Sequence, residues 1–281
     1  MTDSSALQGK IILITGASSG IGKATSIKLA SLGAKVLMVA RQPEKARTAQ
    51  VEIQHKSGSN AVELLLADCS RLDEVRRLAQ EITAHYPNLD ILINNAAVFK
   101  AERTITPEGF ETMFATNYLA PFLLTNLLLN TLQTNGNGHV INMTAPSTDP
   151  IKFNDLQSEK AYNPLEVFSM TKMSLLLFTF ELAHRLQSSR IRVNALYPGL
   201  ARTDLMREAK LSIRIFVYLS AYPTERAAQA VADLATKNPA DLEMPSGGFY
   251  YNEKQMAMDS YPLDREIQNR LWEISARLTG L

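Results

Sequence analysis

Three glycines within seven residues form the part of this sequence best suited to binding a phosphate group. Gly16, Gly20 and Gly22 lie in the turn Gly-Ala-Ser-Ser-Gly-Ile-Gly, directly after an apolar run. Gly16 permits a sharp turn, Gly20 lets backbone amides approach a pyrophosphate, and Gly22 lets the following helix pack closely. The N-terminus of that helix supplies free N–H groups and a partial positive charge. We therefore predict a dinucleotide-binding turn in preference to a purely structural one.

Arg41 bears on which dinucleotide the turn would hold. Sites selective for NAD usually carry an acidic residue about 20 residues after the glycine turn, where it binds the ribose 2′-hydroxyl. This chain has Arg41 nineteen residues after Gly22, with no acid beside it. A guanidinium suits a 2′-phosphate through its charge and its planar set of donors. NADP(H) is therefore favoured, and the alternative is a surface arginine beside a loosely bound NAD.

Asp68 follows the third apolar run of the chain. Its carboxylate could contact the adenine of the cofactor, or it could cap the helix that follows. The residue types alone leave both interpretations open.

The elements that would position these residues alternate regularly along the chain. Strand-length apolar runs alternate with longer helical segments, which is typical of a parallel sheet with crossover helices. The predicted strands cover residues 11–14, 34–40, 61–67, 89–93, 139–143, 190–196 and 248–251. The predicted helices cover residues 43–56, 71–85, 107–132, 164–187 and 224–237, besides one after the glycine turn and one around Trp272. The pattern predicts an α/β fold with a doubly wound parallel sheet flanked by helices.

The chain shows no composition break, internal repeat or linker, so we expect one domain over residues 1–281. Residues 204–222 read as a helical flap with an apolar face. Such a face is more often part of a core than of a lipid pocket. The residues alone leave both interpretations open.

Composition and charge exclude several classes of function. The net charge is +1, so no overall field favours nucleic acid or an anionic membrane. The single cysteine, Cys69, excludes an intrachain disulfide, and the four histidines lack metal-ligand spacing. Residues 1–9 are polar, without the pattern of a signal peptide, and the longest apolar patch, 175–180, is too short to cross a bilayer. We expect a soluble, cytoplasmic protein with no metal, no nucleic-acid partner and no transmembrane segment.

Several separated motifs, in this order, resemble the short-chain dehydrogenase/reductase family over essentially the whole chain. The matching residues are Thr15, Gly16, Gly20, Gly22, Asp68, Asn94, Asn95, Ala96, Ala97, Asn117, Lys172, Tyr197, Pro198, Gly199 and Thr203. The phrases FATNYLAPFLLT, NDLQSEKAYN, LLFTFELAHRL and RLWEISARLTGL are similar to its retinol-dehydrogenase-like branch.

This resemblance implies a Rossmann-type fold and hydride transfer between NADP(H) and a carbonyl or alcohol carbon. It also implies a flap at 204–222 that closes over a hydrophobic small-molecule substrate, and a homodimer or homotetramer. The residues that it assigns to cofactor binding are Gly16, Ser18, Ser19, Gly20, Ile21, Gly22, Arg41, Asp68, Asn95, Ala96, Lys172, Pro198, Gly199 and Thr203.

The resemblance further implies four catalytic positions, and two of them hold unexpected residues. Asn117 and Lys172 match the asparagine that orders a water relay and the lysine that lowers the pKa of a tyrosine. The tyrosine position is Phe168 and the serine position is Ala145. Phenylalanine cannot donate a proton, and alanine cannot bond a carbonyl oxygen. Each loss typically costs about 10²–10⁴-fold in rate, so ordinary carbonyl reduction should be severely impaired.

Three explanations compete for these two residues. They are the conservative changes an experimenter would choose to inactivate an enzyme, and the sequence does not distinguish engineering from nature. A natural protein could instead run another reaction, either reduction of a conjugated C=C bond or a non-redox cyclisation or isomerisation. The third explanation is a catalytically degenerate protein that binds NADP(H).

Three other hydroxyl groups are candidates to replace the missing donors. Tyr162 lies ten residues before Lys172 and could supply a phenol. Thr144 and Ser147 flank Ala145 and could supply an alcohol, although loop hydroxyls commonly bond the backbone instead.

Overall fold

An eight-stranded sheet forms the centre of the computed structural model, which describes residues 5–134, 136–147, 149–237 and 245–281. The strands are β1 (Ile11–Thr15), β2 (Lys35–Ala40), β3 (Val62–Leu66), β4 (Ile91–Asn94), β5 (His139–Met143), β6 (Arg192–Tyr197), β7 (Phe249–Tyr251) and β8 (Lys254–Gln255). Their order is β3-β2-β1-β4-β5-β6-β7-β8, and every pair is parallel except β7 with β8. Strands β1 to β3 are added toward one edge of the sheet and β4 to β7 toward the other, so the strand order reverses between β1 and β4. This confirms the predicted Rossmann-type, doubly wound α/β fold.

Helices cover both faces of the sheet. They are α1 (Gly20–Ser31), α2 (Pro43–Ser57), α3 (Leu72–His85), α4 (Thr112–Phe114), α5 (Ala120–Gln133), α6 (Pro164–Arg185), α7 (Leu211–Ser220), α8 (Thr224–Thr236), α9 (Ser260–Leu263) and α10 (Arg265–Thr279). A π-helical turn, Ala115–Leu119, joins α4 to α5, and a 3₁₀ turn, Asp204–Met206, precedes α7.

The pleat of the strands divides the core into two layers. On β1, Leu13 packs in one cluster with α3, α5, α6 and α10, whereas Ile12 and Ile14 pack in the other with α1, α2 and α8. Successive strand residues point to opposite faces, so a strand buried on both sides is apolar throughout. This is why the strands read as continuous apolar runs in the sequence.

The C-terminal helix α10 covers the outer faces of α5 and α6. The Trp272 ring lies 5.0 Å from that of Phe122 and 5.9 Å from that of Phe178, between centroids. The buried carboxylate of Glu181 on α6 lies 2.6 Å from an Arg265 guanidinium nitrogen. The apolar faces of α5 and α6 are thereby buried against α10.

One predicted helix boundary was wrong, and the apolar face of the flap is exposed. The helix predicted over 107–132 begins only at Thr112, because Gly109 has a positive φ of 87° and Glu111 caps the helix by accepting from the Met113 and Phe114 amides. The flap at 204–222 is helical in part, but none of the residues of α7 is buried, so its apolar face is not core.

One helical stretch among the described residues, Thr112–Gln133, is long and apolar enough to cross a membrane by those criteria alone. Of its most apolar window, 78% is buried inside the protein. Its apolar character is therefore used in the core.

Candidate cofactor cleft and active site

The glycine turn is packed so closely that side chains have no room. Gly16 has a φ of 69°, and a Cβ there would stand 2.9 Å from Ala96 Cα. Gly20 has a φ of 54°, and a Cβ there would stand 2.9 Å from Thr203 Cγ2. A Cβ on Gly22 would overlap the Gly16 carbonyl oxygen. These contacts leave backbone amides, not side chains, to face a ligand at the start of α1.

Thr15 and Asn95 fasten together the ends of β1 and β4, where the strand order reverses. The backbone amides of Asn95 and Ala96 both donate to Thr15 Oγ1 at 3.0 Å. Asn95 Nδ2 donates to the Thr15 carbonyl at 2.8 Å. The ends of β1 and β4 at the switch point are thus held together by the protein's own hydrogen bonds.

An open cleft runs along the carboxyl ends of β1 to β4. Of the predicted cofactor residues, it is lined by Gly16, Ser18, Ser19, Gly20, Ile21, Gly22, Arg41, Asp68, Asn95, Ala96 and Thr203. Lys172, Pro198 and Gly199 do not line it. Pro198 accepts a hydrogen bond from the Tyr222 hydroxyl, and Gly199 has a φ of 77° with the Tyr222 ring packed against it.

The β2 end of the cleft is positively charged. Arg41 Nη1 lies 3.6 Å from Asp68 Oδ2, and the Arg41 side chain is half exposed. Lys45, in the first turn of α2, lines the same end of the cleft. Lys45 was not among the residues predicted from the sequence, because the pattern does not show which side chains of α2 face the cleft.

Asp68 holds the turn before α3 as well as facing the cleft. Its Oδ1 atom accepts from the amide of Ser70 at 2.9 Å and from the Ser70 hydroxyl at 2.8 Å. The N-cap of α3 is Arg71. Asp68 is therefore not the cap itself, and one of its oxygens stays directed toward Arg41.

The cleft also contains the single cysteine. Burial raises the pKa of the Cys69 thiol to about 12, so it is neutral near pH 7. Among the described residues, no group of three or more His, Cys, Asp or Glu side chains could hold a metal ion.

Lys172 is buried on α6 at the chemical end of the site. Its Nζ atom donates to the Met143 carbonyl at 3.1 Å and lies 5.5 Å from the centre of the Phe168 ring. Burial lowers the pKa of Lys172 to about 8. Phe168 also packs on Phe99, with 5.9 Å between ring centroids. The residue one turn before the lysine is thus part of an apolar contact.

The loop holding Ala145 is tied to α6 by the residues around it. Thr144 Oγ1 donates to the Lys172 carbonyl at 2.9 Å. Ser147 Oγ donates to the Ser169 carbonyl at 2.9 Å and lies 2.7 Å from Ser169 Oγ. Both hydroxyls hold the loop against the turn of α6 that carries Phe168.

Asn117 occupies the π-helical turn and is fully buried. Its Oδ1 atom accepts from the Val98 amide at 2.8 Å, and its Nδ2 atom donates to the Val98 carbonyl at 3.0 Å and to Thr171 Oγ1 at 3.2 Å. The extra residue of a π turn commonly marks a functional position. Here it points the amide at both the loop after β4 and helix α6.

Tyr162 lies in an apolar cluster with Phe99 and Phe168. Its hydroxyl donates to the Lys100 carbonyl at 3.0 Å. Burial, followed by the charge of Glu111, raises the pKa of Tyr162. The phenol is therefore held protonated and directed at the backbone.

An ion pair connects the flap to the opposite wall of the cleft. Lys100 Nζ, after β4, lies 2.8 Å from Glu208 Oε1 on the segment before α7. Lys100 and Glu208 both line the cleft, although the sequence analysis singled out neither.

Comparison with known proteins relates the whole chain to one group. The family model described as short chain dehydrogenase matches residues 10–213. Retinol dehydrogenase 13 of Mus musculus is 36% identical, over 98% of this chain and 85% of that protein. Retinol dehydrogenase 14 of Mus musculus is 34% identical, over 99% of this chain and 88% of that protein.

Solved structures agree with this relationship. A crystal structure of an uncharacterised protein from Mycobacterium Paratuberculosis has a TM-score of 0.76 at 28% identity, and covers 99% of this chain and 96% of its own. A metagenomic short-chain oxidoreductase in complex with NADP has a TM-score of 0.66 at 28% identity, over 84% of this chain and 95% of its own.

Proposed function

Since the chain belongs to the short-chain dehydrogenase family, a family of oxidoreductases, we propose that it binds NADP(H) along the cleft. We further propose that it acts on a hydrophobic carbonyl, alcohol or conjugated enone. One observation carries the cofactor assignment. A cleft at the sheet switch point joins a turn with three closely packed glycines to two cations, Arg41 after β2 and Lys45 at the start of α2. The NADP complex of a structural neighbour is consistent with it.

The residues present fit this cofactor. The amides at the start of α1, from Ser19 to Gly22, would hold the pyrophosphate, because a Cβ on Gly20 or Gly22 would collide with neighbouring groups. Arg41 and Lys45 would hold a 2′-phosphate through charge-assisted hydrogen bonds. Asp68, Asn95 and Ala96 would line the nucleoside part of the cleft.

When bound, NADP(H) supplies or accepts a hydride at the nicotinamide C4. The role of this chain is to position the reactants and to manage charge. Lys172 would fix the nicotinamide ribose, and its low pKa makes its charge sensitive to pH near neutrality. Asn117 bonds both Val98, in the loop after β4, and Thr171 on α6, so it fixes the position of that loop relative to α6.

The absence of a phenol at Phe168 decides which substrates are favoured. Reduction of a carbonyl needs a proton at an oxygen that gains charge, and neither Phe168 nor Ala145 can provide a hydrogen bond there. Reduction of a conjugated enone spreads that charge over an enolate, which water can protonate. We therefore propose that ordinary carbonyl reduction is impaired and that enones are the better substrates.

A second candidate, an NADP(H)-binding pseudoenzyme, is favoured by the state of the spare hydroxyls. Thr144, Ser147 and Tyr162 each donate to a backbone carbonyl. A hydroxyl held in this way is not directed at a substrate oxygen. A non-redox cyclase or isomerase on the same scaffold is the third candidate, because such reactions need no hydride.

The test combines cofactor titration with a matched pair of substrates. NADPH binding is followed by fluorescence, and NADPH consumption is then measured with a long-chain ketone and with the same ketone carrying an α,β double bond. We expect binding, and faster turnover of the enone. Binding without turnover of either ketone would support the pseudoenzyme, and product formed without NADPH loss would support the isomerase. No binding of NADPH would overturn the cofactor assignment.

A further inference from the structure

Helix α7 carries five of the twelve large apolar side chains that are exposed among the described residues. Leu211, Ile215, Phe216, Tyr218 and Leu219 are each at least half exposed, and Leu219 reaches 75%. Leu211, Ile215, Tyr218 and Leu219 follow helical spacing, so they share one stripe, and Phe216 borders it. A helix with this composition is normally buried, so the stripe needs a cover.

Within the described residues, the contact of α7 with the apolar cluster of the site is made by its opposite side. Ile213 packs on the cluster of Phe99 and Met113 beside the candidate site. This contact fixes the orientation of α7 and leaves the stripe facing outward. The exposed face is therefore presented by the fold and is not a consequence of an undocked helix.

Basic side chains surround the exposed stripe. Arg202, Arg207, Lys210 and Arg214 are all exposed, against two acidic residues in residues 202–220. The segment thus has a net charge of +2, whereas the entire chain has only +1. Positive charge is concentrated where the apolar surface is exposed.

A groove beside α7 combines the two kinds of surface. Its volume is about 490 Å³, within the usual range for ligand sites, and three arginines line it with Leu211 and Tyr218. The arginines are Arg202, Arg207 and Arg214. Arginines beside an apolar wall match an amphiphile with an anionic head and a hydrocarbon tail.

We propose that α7 and its arginine-lined groove dock on the surface of an anionic phospholipid bilayer. The apolar stripe enters the boundary between headgroups and acyl chains, and the four basic residues contact lipid phosphates. A second copy of this chain fits less well, because a symmetric contact would bring the same arginines of both copies together. The basic residues around the stripe therefore favour an anionic bilayer over a second copy of the chain.

The docking surface adjoins the cofactor cleft. Thr203, Asp204 and Arg207 line both the cleft and the groove. A hydrophobic molecule dissolved in the bilayer would enter beside α7 without crossing water. Docking itself is independent of any turnover and is tested without it.

The test uses the full-length chain and vesicle flotation. One set of vesicles is phosphatidylcholine alone, and the other contains about one-third phosphatidylserine. We expect binding to the anionic vesicles that weakens at high salt. The double variant Phe216→Ser, Leu219→Ser should bind about tenfold more weakly or worse, because the apolar contribution is lost. Arg214→Gln should weaken binding to the anionic vesicles alone.

Matched controls keep the result interpretable. Val51→Ser removes an equally exposed apolar side chain from α2, and Arg47→Gln removes an exposed cation there. Both should bind vesicles like the wild type, and all variants should keep the wild-type melting temperature and NADPH affinity. No binding of the wild type to anionic vesicles, or equal binding by the Phe216 and Leu219 double variant, would overturn the proposal. A dimer that the same double variant abolishes, without vesicle binding, would assign the face to a second copy.

Discussion

Phe168 retains part of the environment that a tyrosine would have at its position. The centre of its ring lies 5.5 Å from the buried Lys172 Nζ atom, and the ring packs at a tilt of 60° against that of Phe99. An aromatic face stabilises a cation that burial has removed from water. The phenylalanine is thus compatible with a charged lysine, and what it lacks is the hydroxyl group of a tyrosine.

Restoring both hydroxyls should restore ordinary carbonyl reduction. In the double variant Phe168→Tyr, Ala145→Ser, the phenol would stand one helical turn from Lys172, whose charge lowers a neighbouring phenol pKa. We expect NADPH-dependent reduction of a long-chain aldehyde to rise by about 10²–10⁴-fold. The measurement is steady-state NADPH consumption. Phe99→Tyr is the control, since it adds the same hydroxyl to the neighbouring ring. No gain over that control would contradict an inactivated parent enzyme.

Lys172 should give the protein a characteristic pH dependence of stability. Burial lowers its pKa from 10.5 to about 8 in the native state. Between these values the unfolded chain holds a proton that the native chain does not, so wild-type stability rises with pH through this window. Lys172→Met removes the titration. The difference in free energy of unfolding, variant minus wild type, should therefore be most positive below pH 8. It should fall by about 3 kcal/mol between pH 8 and pH 10.5, because the wild type gains stability there and the variant does not.

Urea denaturation of both proteins at several pH values checks this prediction. All other titrating groups are shared, so their contributions cancel in the difference. A difference that does not change with pH would show that Lys172 titrates in the native protein as it does in the unfolded chain.

At the scale of elements, α10 should be essential for stability. Trp272 contacts Phe122 and Phe178, and the Arg185 guanidinium carbon lies 4.3 Å from its ring centre. Trp272→Ala should lower the free energy of unfolding by about 3 kcal/mol, because it leaves a cavity between three helices. Chemical denaturation measures the loss. Glu273→Ala, an exposed neighbour, should change stability by less than about 0.5 kcal/mol. Equal effects of the two would contradict a packing role for the indole.

Much of this architecture could be predicted from the sequence. The apolar runs predicted all seven strands from β1 to β7, because strands buried on both faces must be apolar throughout. The short antiparallel strand β8 was missed, since two exposed residues carry no such pattern. The start of the helix predicted at 107 was wrong because the cap at Glu111 depends on backbone geometry that periodicity does not encode.

The flap shows the limit of periodicity more clearly. An apolar stripe on α7 was readable, but the pattern cannot say whether the protein or another surface covers it. Similarly, the sequence placed Arg41 at the end of β2, whereas the ion pair of Lys100 with Glu208 joins segments 108 residues apart. Such pairs follow from tertiary structure alone.

At the scale of the whole molecule, the predicted homodimer or homotetramer stays a prediction. The described parts of α5 and α6 have their apolar faces covered by α3 and α10 of the same chain. An interface between copies would therefore need another surface.

The predicted cytoplasmic location is compatible with a bilayer contact through α7, because such a contact is peripheral.

The cofactor should couple the two halves of the sheet. The cleft is lined by residues after β1, β2 and β3 and by residues after β4, so one ligand would bridge both sides of the switch point. Binding to the native state alone stabilises a protein by about 2.7 kcal/mol at a ligand concentration of 100 times Kd. We therefore expect NADPH to raise the melting temperature by several degrees, and NADH to raise it less at equal concentration.

Arg41→Ala should remove most of the difference between the two cofactors, because the extra affinity for NADPH comes from the 2′-phosphate. Lys45 would keep a residual preference, so Arg41→Ala with Lys45→Ala should abolish it. Arg47→Ala is the matched control, since Arg47 is an exposed arginine of α2 that does not line the cleft. Differential scanning fluorimetry with each cofactor measures the shifts. Equal stabilisation of the wild type by NADH and NADPH would contradict the assignment of this end of the cleft to a 2′-phosphate.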